Sequence, residues 1–501
     1  MKIILLALVL ILNYHGAHAN YSTPGTGKTW NLDSLVANSG GDITFNSGSY
    51  FVNDTIVISQ SDTIVVRNDF VMKLASQIFI DVFGVMIIDP AIAGTITAID
   101  TSQKFLGIKY EDQSDGSILR KTTFEYGNGI RMLECNILID SCTIRFNTLN
   151  STFSSYAVSL FRSNSVISNN RIYRNRRSAI GSGANIASSP RIINNIIYEN
   201  DTENANVPQI NLGASASDTL LIRGNTISGL FDNCGGISLL PVGSIPIALI
   251  EDNVIRKNRY GIAVAGGNSN IIIRGNRIDS NNIQGLPNLG GSGINFNGSN
   301  TQLCIVSNNL IRGNLWGITI QGTAKPNMGD LSNASNLDDG QNAIYGNTNS
   351  GKIFDLFNNT PDSIKAENNW WGTSNSDSVE AHIFHKPDSS VLGFVDYLPL
   401  GTSTQIGNSI ELIIPTSIKV TAYPNPFNPL TTLEYNLPES GMTEILLYDV
   451  SGRIVHRVMN ARRELGDNKE ILYGQGLSSG TYFVRIRSGI YSAVGKLVLL
   501  K

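Results

Sequence analysis

The chain has 501 residues, more than one compact core normally supports, so either several domains or a solenoid that lengthens coil by coil is expected. Only 15% of residues are charged and 48 are glycine, a composition of short strands and tight turns rather than of salt-bridged amphipathic helices. A formal charge of -3 supplies no general polycation for gripping phosphates and argues against nucleic acid as a partner.

The chain opens with Met1-Lys2, an apolar run from Ile3 to Leu12 and the small-x-small triplet Ala17-His18-Ala19. This is the layout of a secretory signal over residues 1–19, with a mature start near Asn20. The apolar run is too short to span a bilayer and no later window is long and uncharged enough, so no transmembrane segment is expected. Four cysteines, Cys135, Cys142, Cys234 and Cys304, are too few for a disulfide framework at this length. They are expected to be buried and unpaired, since Cys is among the most buried residue types.

Further along, an Asn-x-Ile-x-x-Asn pattern recurs at Asn170/Ile172/Asn175, Asn195/Ile197/Asn200, Asn253/Ile255/Asn258, Asn276/Ile278/Asn281, Asn309/Ile311/Asn314 and Asn342/Ile344/Asn347. Three rows fit less well. Cys142/Ile144/Asn147 lacks the first Asn, Asn225/Ile227 has Leu230 in place of the second, and Asn369 is followed by Trp371 and Ser374. Successive anchors at 142, 170, 195, 225, 253, 276, 309, 342 and 369 are 28, 25, 30, 28, 23, 33, 33 and 27 apart, a period of roughly 28 that wobbles without drifting. Apolar runs such as Leu220-Leu221-Ile222 and Ile271-Ile272-Ile273 precede the anchors, and Gly-Ile or a variant follows, as in Gly261-Ile262 and Gly317-Ile318. Each coil therefore reads as two or three short strands separated by turns.

Strands stacked about 4.8 Å apart would set Asn170, Asn195, Asn225, Asn253, Asn276, Asn309, Asn342 and Asn369 one above the next as a hydrogen-bonded ladder. The Ile two residues on would point into the interior. On these residues the chain resembles the right-handed parallel β-helix, pectate-lyase-like proteins over roughly 42–396. Residues 26–50, with Gly40-Gly41-Asp42-Ile43 and Gly48-Ser49-Tyr50, look like the N-terminal cap of that superfold, whose first coil must not expose strand edges. Asn368-Asn369-Trp370-Trp371-Gly372 and the segment from Gly393 to Pro399 look like its closing segment, with the paired Trp as a plug. The β-helix is expected over 20–400.

A linker follows at 401–417. From 418 to 501, alternating apolar strands broken by Pro/Gly turns indicate a small Ig-like β-sandwich. Its motifs, in order, are Tyr423-Pro424-Asn425-Pro426-Phe427-Asn428-Pro429, Leu433-Glu434-Tyr435, Leu447-Tyr448-Asp449-Val450-Ser451-Gly452-Arg453, Gly480-Thr481-Tyr482-Phe483-Val484 and Lys496-Leu497-Val498. They resemble the C-terminal sorting domain of type IX secretion substrates. That resemblance implies handling by the type IX machinery and a secreted or outer-surface destination by way of the periplasm. The expected fold class is thus all-β, a parallel β-helix followed by a β-sandwich.

Chemistry is harder to find. The resemblance implies polysaccharide as the partner, with lyase or hydrolase activity as the enzymatic version. Hydrolases of this superfold need spaced carboxylates, and their Gly-His-Gly element is absent. All five His lie outside the repeat rows. Asp338-Asp339 reads as a polar turn. The resemblance allows calcium, yet no tight carboxylate cluster of metal-ligand character stands out, so no metal or cofactor is assigned. Residues just after each inward Ile form an outward column that includes Tyr173, Tyr198, Arg256 and Arg312. A second column holds Arg177, Tyr260 and Trp316, and Arg174 adds to a basic cluster beside Arg177. Aromatic and Arg side chains on an exterior strip can stack on sugar rings and pair with acidic groups, which makes these eight the candidate carbohydrate-binding residues. A solvated strand face is the competing reading of the strip, and a non-catalytic structural or adhesin-like surface protein the competing function.

Overall fold

A computed structural model describes residues 20–147, 156–402, 418–437, 441–463, 466–489 and 491–500. The expected signal at 1–19 and nearly all of the expected linker lie outside them. The described residues form two compact units, one up to residue 402 and one from residue 418.

In the first unit the coils pass in turn through three sheets, parallel apart from the hairpin Ile43–Asn46/Ser49–Val52 that opens one of them, and the last coils lack the second sheet. Among the described residues, sheet A has 14 strands from Tyr21–Ser22 to Ile383–Phe384. Sheet B has 11, from Thr29–Trp30 to Gln302–Ser307, and sheet C has 13, from Ile43–Asn46 to Ala343–Tyr345. This is a right-handed parallel β-helix. Its coils start well before Cys142, where the Asn pattern is missing: Met72, Ile96, Phe124 and Ile144 already stack in register in sheet C. From there the inward column continues through Ile172, Ile197, Ile227, Ile255, Ile278, Ile311 and Ile344, all with no solvent exposure. Burying one Ile per coil removes apolar surface worth about 1.5–3 kcal/mol per side chain, and only an adjacent coil can cover it.

From Asn170 to Asn309 each ladder Asn sits at the corner between sheets B and C, and Asn342 and Asn369 continue the column beyond the end of sheet B. Up the column Nδ2 donates to Oδ1 of the Asn one coil on, at 3.0 Å from Asn170 to Asn195, 2.9 Å from Asn253 to Asn276 and 2.8 Å from Asn342 to Asn369. The backbone N–H of each Asn donates to the same oxygen, so one amide serves a corner that would otherwise bury an unpaired donor. The residue just before each rung has φ between 55° and 67°, which explains Asn169, Asn194, Asp252, Asn308 and Asn368 at five rungs and Gly224 and Gly275 at two more, with Gln341 at the eighth.

The second Asn of the pattern builds another ladder at the corner between sheets C and A, through Asn147, Asn175 and Asn200 and again through Asn258, Asn281, Asn314 and Asn347. Leu230 interrupts it. Gln209, from the next sheet A strand, fills the gap by accepting from Asn200 Nδ2 at 2.7 Å and donating to Ser228 O at 3.0 Å.

At the N-terminal end the buried Asp62 carboxylate accepts from the N–H groups of Gly25, Thr26 and Lys28, and so folds the first coil onto the second. At the other end Trp371 is fully buried, whereas Trp370 is half-buried and pairs with Ala343 through its backbone. The plug is therefore one ring of the pair. All four cysteines are buried and free.

The second unit packs a three-stranded antiparallel sheet against a four-stranded one. Leu433, Tyr435, Leu437 and Leu472 from the first sheet meet Ile445, Leu447, Val484 and Ile486 from the second. Phe427, at the centre of the Pro-rich motif, is 2% exposed in this core. Its N–H donates to Val498 O at 2.9 Å, and Asn425 holds the same final strand through Val498 N and Lys496 O.

Candidate functional site

The eight candidate residues do not share one surface. Tyr173, Tyr198, Arg256 and Arg312 lie on sheet C, whereas Trp316 opens a sheet A strand and Tyr260 pairs in the same row through its backbone.

The sheet C column is sealed. Tyr173 and Tyr198 are 1% and 6% exposed, which corrects the expectation that they present open rings. In-register strands place the two rings on one another, with centroids 4.7 Å apart and planes within 10°. Arg145 donates to the Tyr173 hydroxyl at 2.7 Å and Arg171 to that of Tyr198 at 2.8 Å, so faces and hydroxyls are both consumed within the protein. The arginines are likewise committed. Arg174 donates to Glu199 at 2.8 Å. The register places Asp279 between Arg256 and Arg312, and Arg312 lies 3.3 Å from that carboxylate. Because adjacent coils alternate charge, this column neutralises itself and offers little to an acidic glycan.

Sheet A behaves differently. Tyr260, Ser292 and Trp316 occupy one row at its strand starts, and Ala263, Asn295, Thr319 and Phe357 the next outward row. The two rows floor a groove of about 490 Å³, walled by Pro287, Asn288, Leu289 and Gly290 from the loop that lengthens the coil between the anchors at 276 and 309. Trp316 is fixed on three sides. Its Nε1–H donates to Pro287 O at 3.0 Å, and the rings of Phe354 and Phe357 lie 4.8 and 5.1 Å from its own. Beyond Phe357, Phe384 stacks at 4.7 Å.

Tyr260 lies over Gly235, where even a Cβ would stand 2.2 Å from the ring. Burial pushes its phenol well above the ordinary value, and the neighbouring Cys234 adds to this. On the floor Ser292 and Thr319 share a 3.0 Å hydroxyl contact, and Asn295 Nδ2 donates to Thr319 at 2.6 Å. None of the twelve lining residues is Asp, Glu, Lys, Arg or His. Tyr260 and Trp316 are thus brought together. Arg177 precedes Ser178, three coils nearer the N-terminus on the same sheet, and does not line the groove.

Sequence reasoning missed Ser292, Asn295, Thr319, Gln321 and Phe357. The 33-residue gap from Asn276 to Asn309 was the available signal of a loop overhanging a face.

Nearer the N-terminus the same face is charged. Asp81, Lys109 and Arg131 form one column, with Lys109 Nζ 3.5 Å from Asp81, and Glu111 stands beside them. Burial and the Asp81 charge raise the Glu111 carboxyl above its ordinary range. Among the described residues no group of three or more His, Cys, Asp or Glu is placed to hold a metal ion. Nor is any helix there long and apolar enough to cross a membrane.

Two family models match. Residues 93–239 and, overlapping them, 128–300 match the right-handed beta helix region, and residues 421–500 match the secretion system C-terminal sorting domain. The tail is a type IX sorting domain. It marks the β-helix for export, to the medium or the outer cell surface. No curated protein and no solved structure matches the chain.

Proposed function

We propose that this exported β-helix binds extracellular polysaccharide in the groove on sheet A, with Trp316 as the principal sugar platform and Tyr260 beside it. The observation that carries this reading is the fixed indole above a floor of amides and hydroxyls. A rigid aromatic face with a few convergent hydrogen-bonding groups is the composition of a ligand groove, and holding the ring in advance removes the entropy cost of ordering it on binding. Binding is favoured over turnover because the lining contains no carboxylate, Lys or His to move a proton.

Affinity electrophoresis against a panel of polysaccharides tests this. Trp316→Ala should weaken retardation by about tenfold or more, since buried aromatic anchors carry most of such binding energy. Undiminished binding after Trp316→Ala and Tyr260→Ala together, or release of new reducing ends or unsaturated products, would overturn it.

A further inference from the structure

We infer that the groove selects an uncharged polysaccharide, a hexose or pentose chain bearing neither carboxylate nor sulfate, lying across the coils of sheet A. This rests on the groove being a glycan site and names the class of glycan. Stacking needs only a sugar face, and the polar floor offers hydroxyl and amide groups suited to sugar hydroxyls. The side-chain amide of Gln321, half-buried at the groove edge, makes no hydrogen bond to any described residue, and Asn295 Oδ1 accepts from none. Both are left to an occupant that donates and accepts through neutral groups.

The guanidinium closest in sequence to Tyr260 is that of Arg259, and its nitrogens are spent on the wall. Nε donates to Gln284 Oε1 at 2.8 Å, one terminal nitrogen to Leu289 O and the other to Asn206 Oδ1. Turning that cation into the groove would release the loop that forms it. An anionic chain would thus lose hydration from its carboxylates or sulfates without meeting a counter-charge in the groove lining, Lys352 lying outside it over the Phe354 ring, and this is the costly case of burying a charge. The arginines of sheet C offer no alternative: Arg145, Arg174 and Arg312 pair with acids of adjacent coils, Arg277 with Asp279 of its own strand, and Arg171 with the Tyr198 hydroxyl. Ala263, Asn295, Thr319 and Phe357 step one coil at a time, so the floor is ~14 Å long at about 4.8 Å per coil, room for about three sugar units.

Isothermal titration calorimetry on the full chain decides the matter, with neutral probes (gluco-, manno- and xylo-oligosaccharides) set against oligogalacturonate, alginate oligomers and a sulfated galactan. Expected is saturable binding of at least one neutral probe that is insensitive to added salt, falls about tenfold or more with Trp316→Ala and falls several-fold with Gln321→Ala, whose outward side chain the fold does not use. Trp316-dependent binding of an acidic probe, weakened by salt, would overturn the neutral assignment while leaving a glycan groove in place. Failure of both probe classes to bind would remove the groove reading itself, and the assignment with it.

Discussion

The amide of a single ladder Asn can make four hydrogen bonds, and this makes the anchor residues more than markers of a period. Asn253 Oδ1 accepts from the N–H and Nδ2 of Asn225, while its own Nδ2 donates to Ile222 O and Asn276 Oδ1. Replacing it with Leu leaves the Asn225 N–H buried without an acceptor and its Nδ2 with only the carbonyls of Ile192 and Arg223, at a cost on the order of 3 kcal/mol. Asn253→Leu should lower the melting midpoint and speed hydrogen exchange at the Asn225 amide more than at the remote Asn147 amide; equal exchange at both would count against the ladder.

Asp62 gives the same logic a pH dependence. Burial opposes its ionisation, but hydrogen bonds from Thr23, Gly25, Lys28 and Thr26 outweigh that and hold the carboxyl below the ordinary range. A depressed folded value means that the stabilisation is present above the unfolded carboxylate pKa and is lost as pH falls through the folded one. Between about pH 5 and about pH 2 the native chain should therefore lose more of its melting midpoint than Asp62→Asn does, and parallel losses would refute the assignment. Such residues were legible in part. The Asn rungs were read from spacing, whereas Asp62 meets Gly25 and Lys28 only after a full coil of chain has intervened.

At the level of elements, periodicity reported strands and corners faithfully but could not say which faces stay open. Tyr173 and Trp316 look alike as outward aromatics in a repeat. Both have an aromatic neighbour one coil on, Tyr198 and Phe354, and what separates them is the coil before: Tyr173 has Arg145 there, donating to its hydroxyl, whereas Trp316 has the small Ser292 and an overhanging loop. That information lies in comparing rows 23 to 33 residues apart, where insertions shift the alignment. The Pro-rich element of the tail was easier to place because its motif is contiguous. Phe427 inserts into the sandwich while Asn425 fastens the last strand, so the segment acts as a clasp. Phe427→Ala should destabilise the tail by about 3–5 kcal/mol, and a fluorescence melt of the full chain should show an early transition that the native chain lacks. An unaltered melt would show the clasp to be dispensable.

For the molecule as a whole, address and scaffold were plain in the sequence because both are repeated or motif-rich, while activity was not, because superfolds carry no fixed chemistry. A chain ending before Tyr423 should accumulate in the periplasm, and its normal appearance outside the cell would sever the tail from sorting.

The ladders have one more property, which is polarity. Asn170, Asn195, Asn225, Asn253, Asn276, Asn309 and Asn342 each donate Nδ2 to the Asn one coil toward the C-terminal end, with Asn369 as the last acceptor and Cys142 adding only its backbone N–H to Asn170. Their amide dipoles therefore add head to tail, so each hydrogen bond polarises the next. The positive pole of such a column needs an electron-rich stop. The first ladder ends with Asn369 Nδ2 against the carbonyls of Met328 and Ala366. The second ends on the Asp355 carboxylate, which takes both donors of Asn347 where another Asn would have carried the column onward. That acid works as a full stop: it supplies lone pairs and no N–H, and the amide column terminates there instead of offering a free donor to another chain.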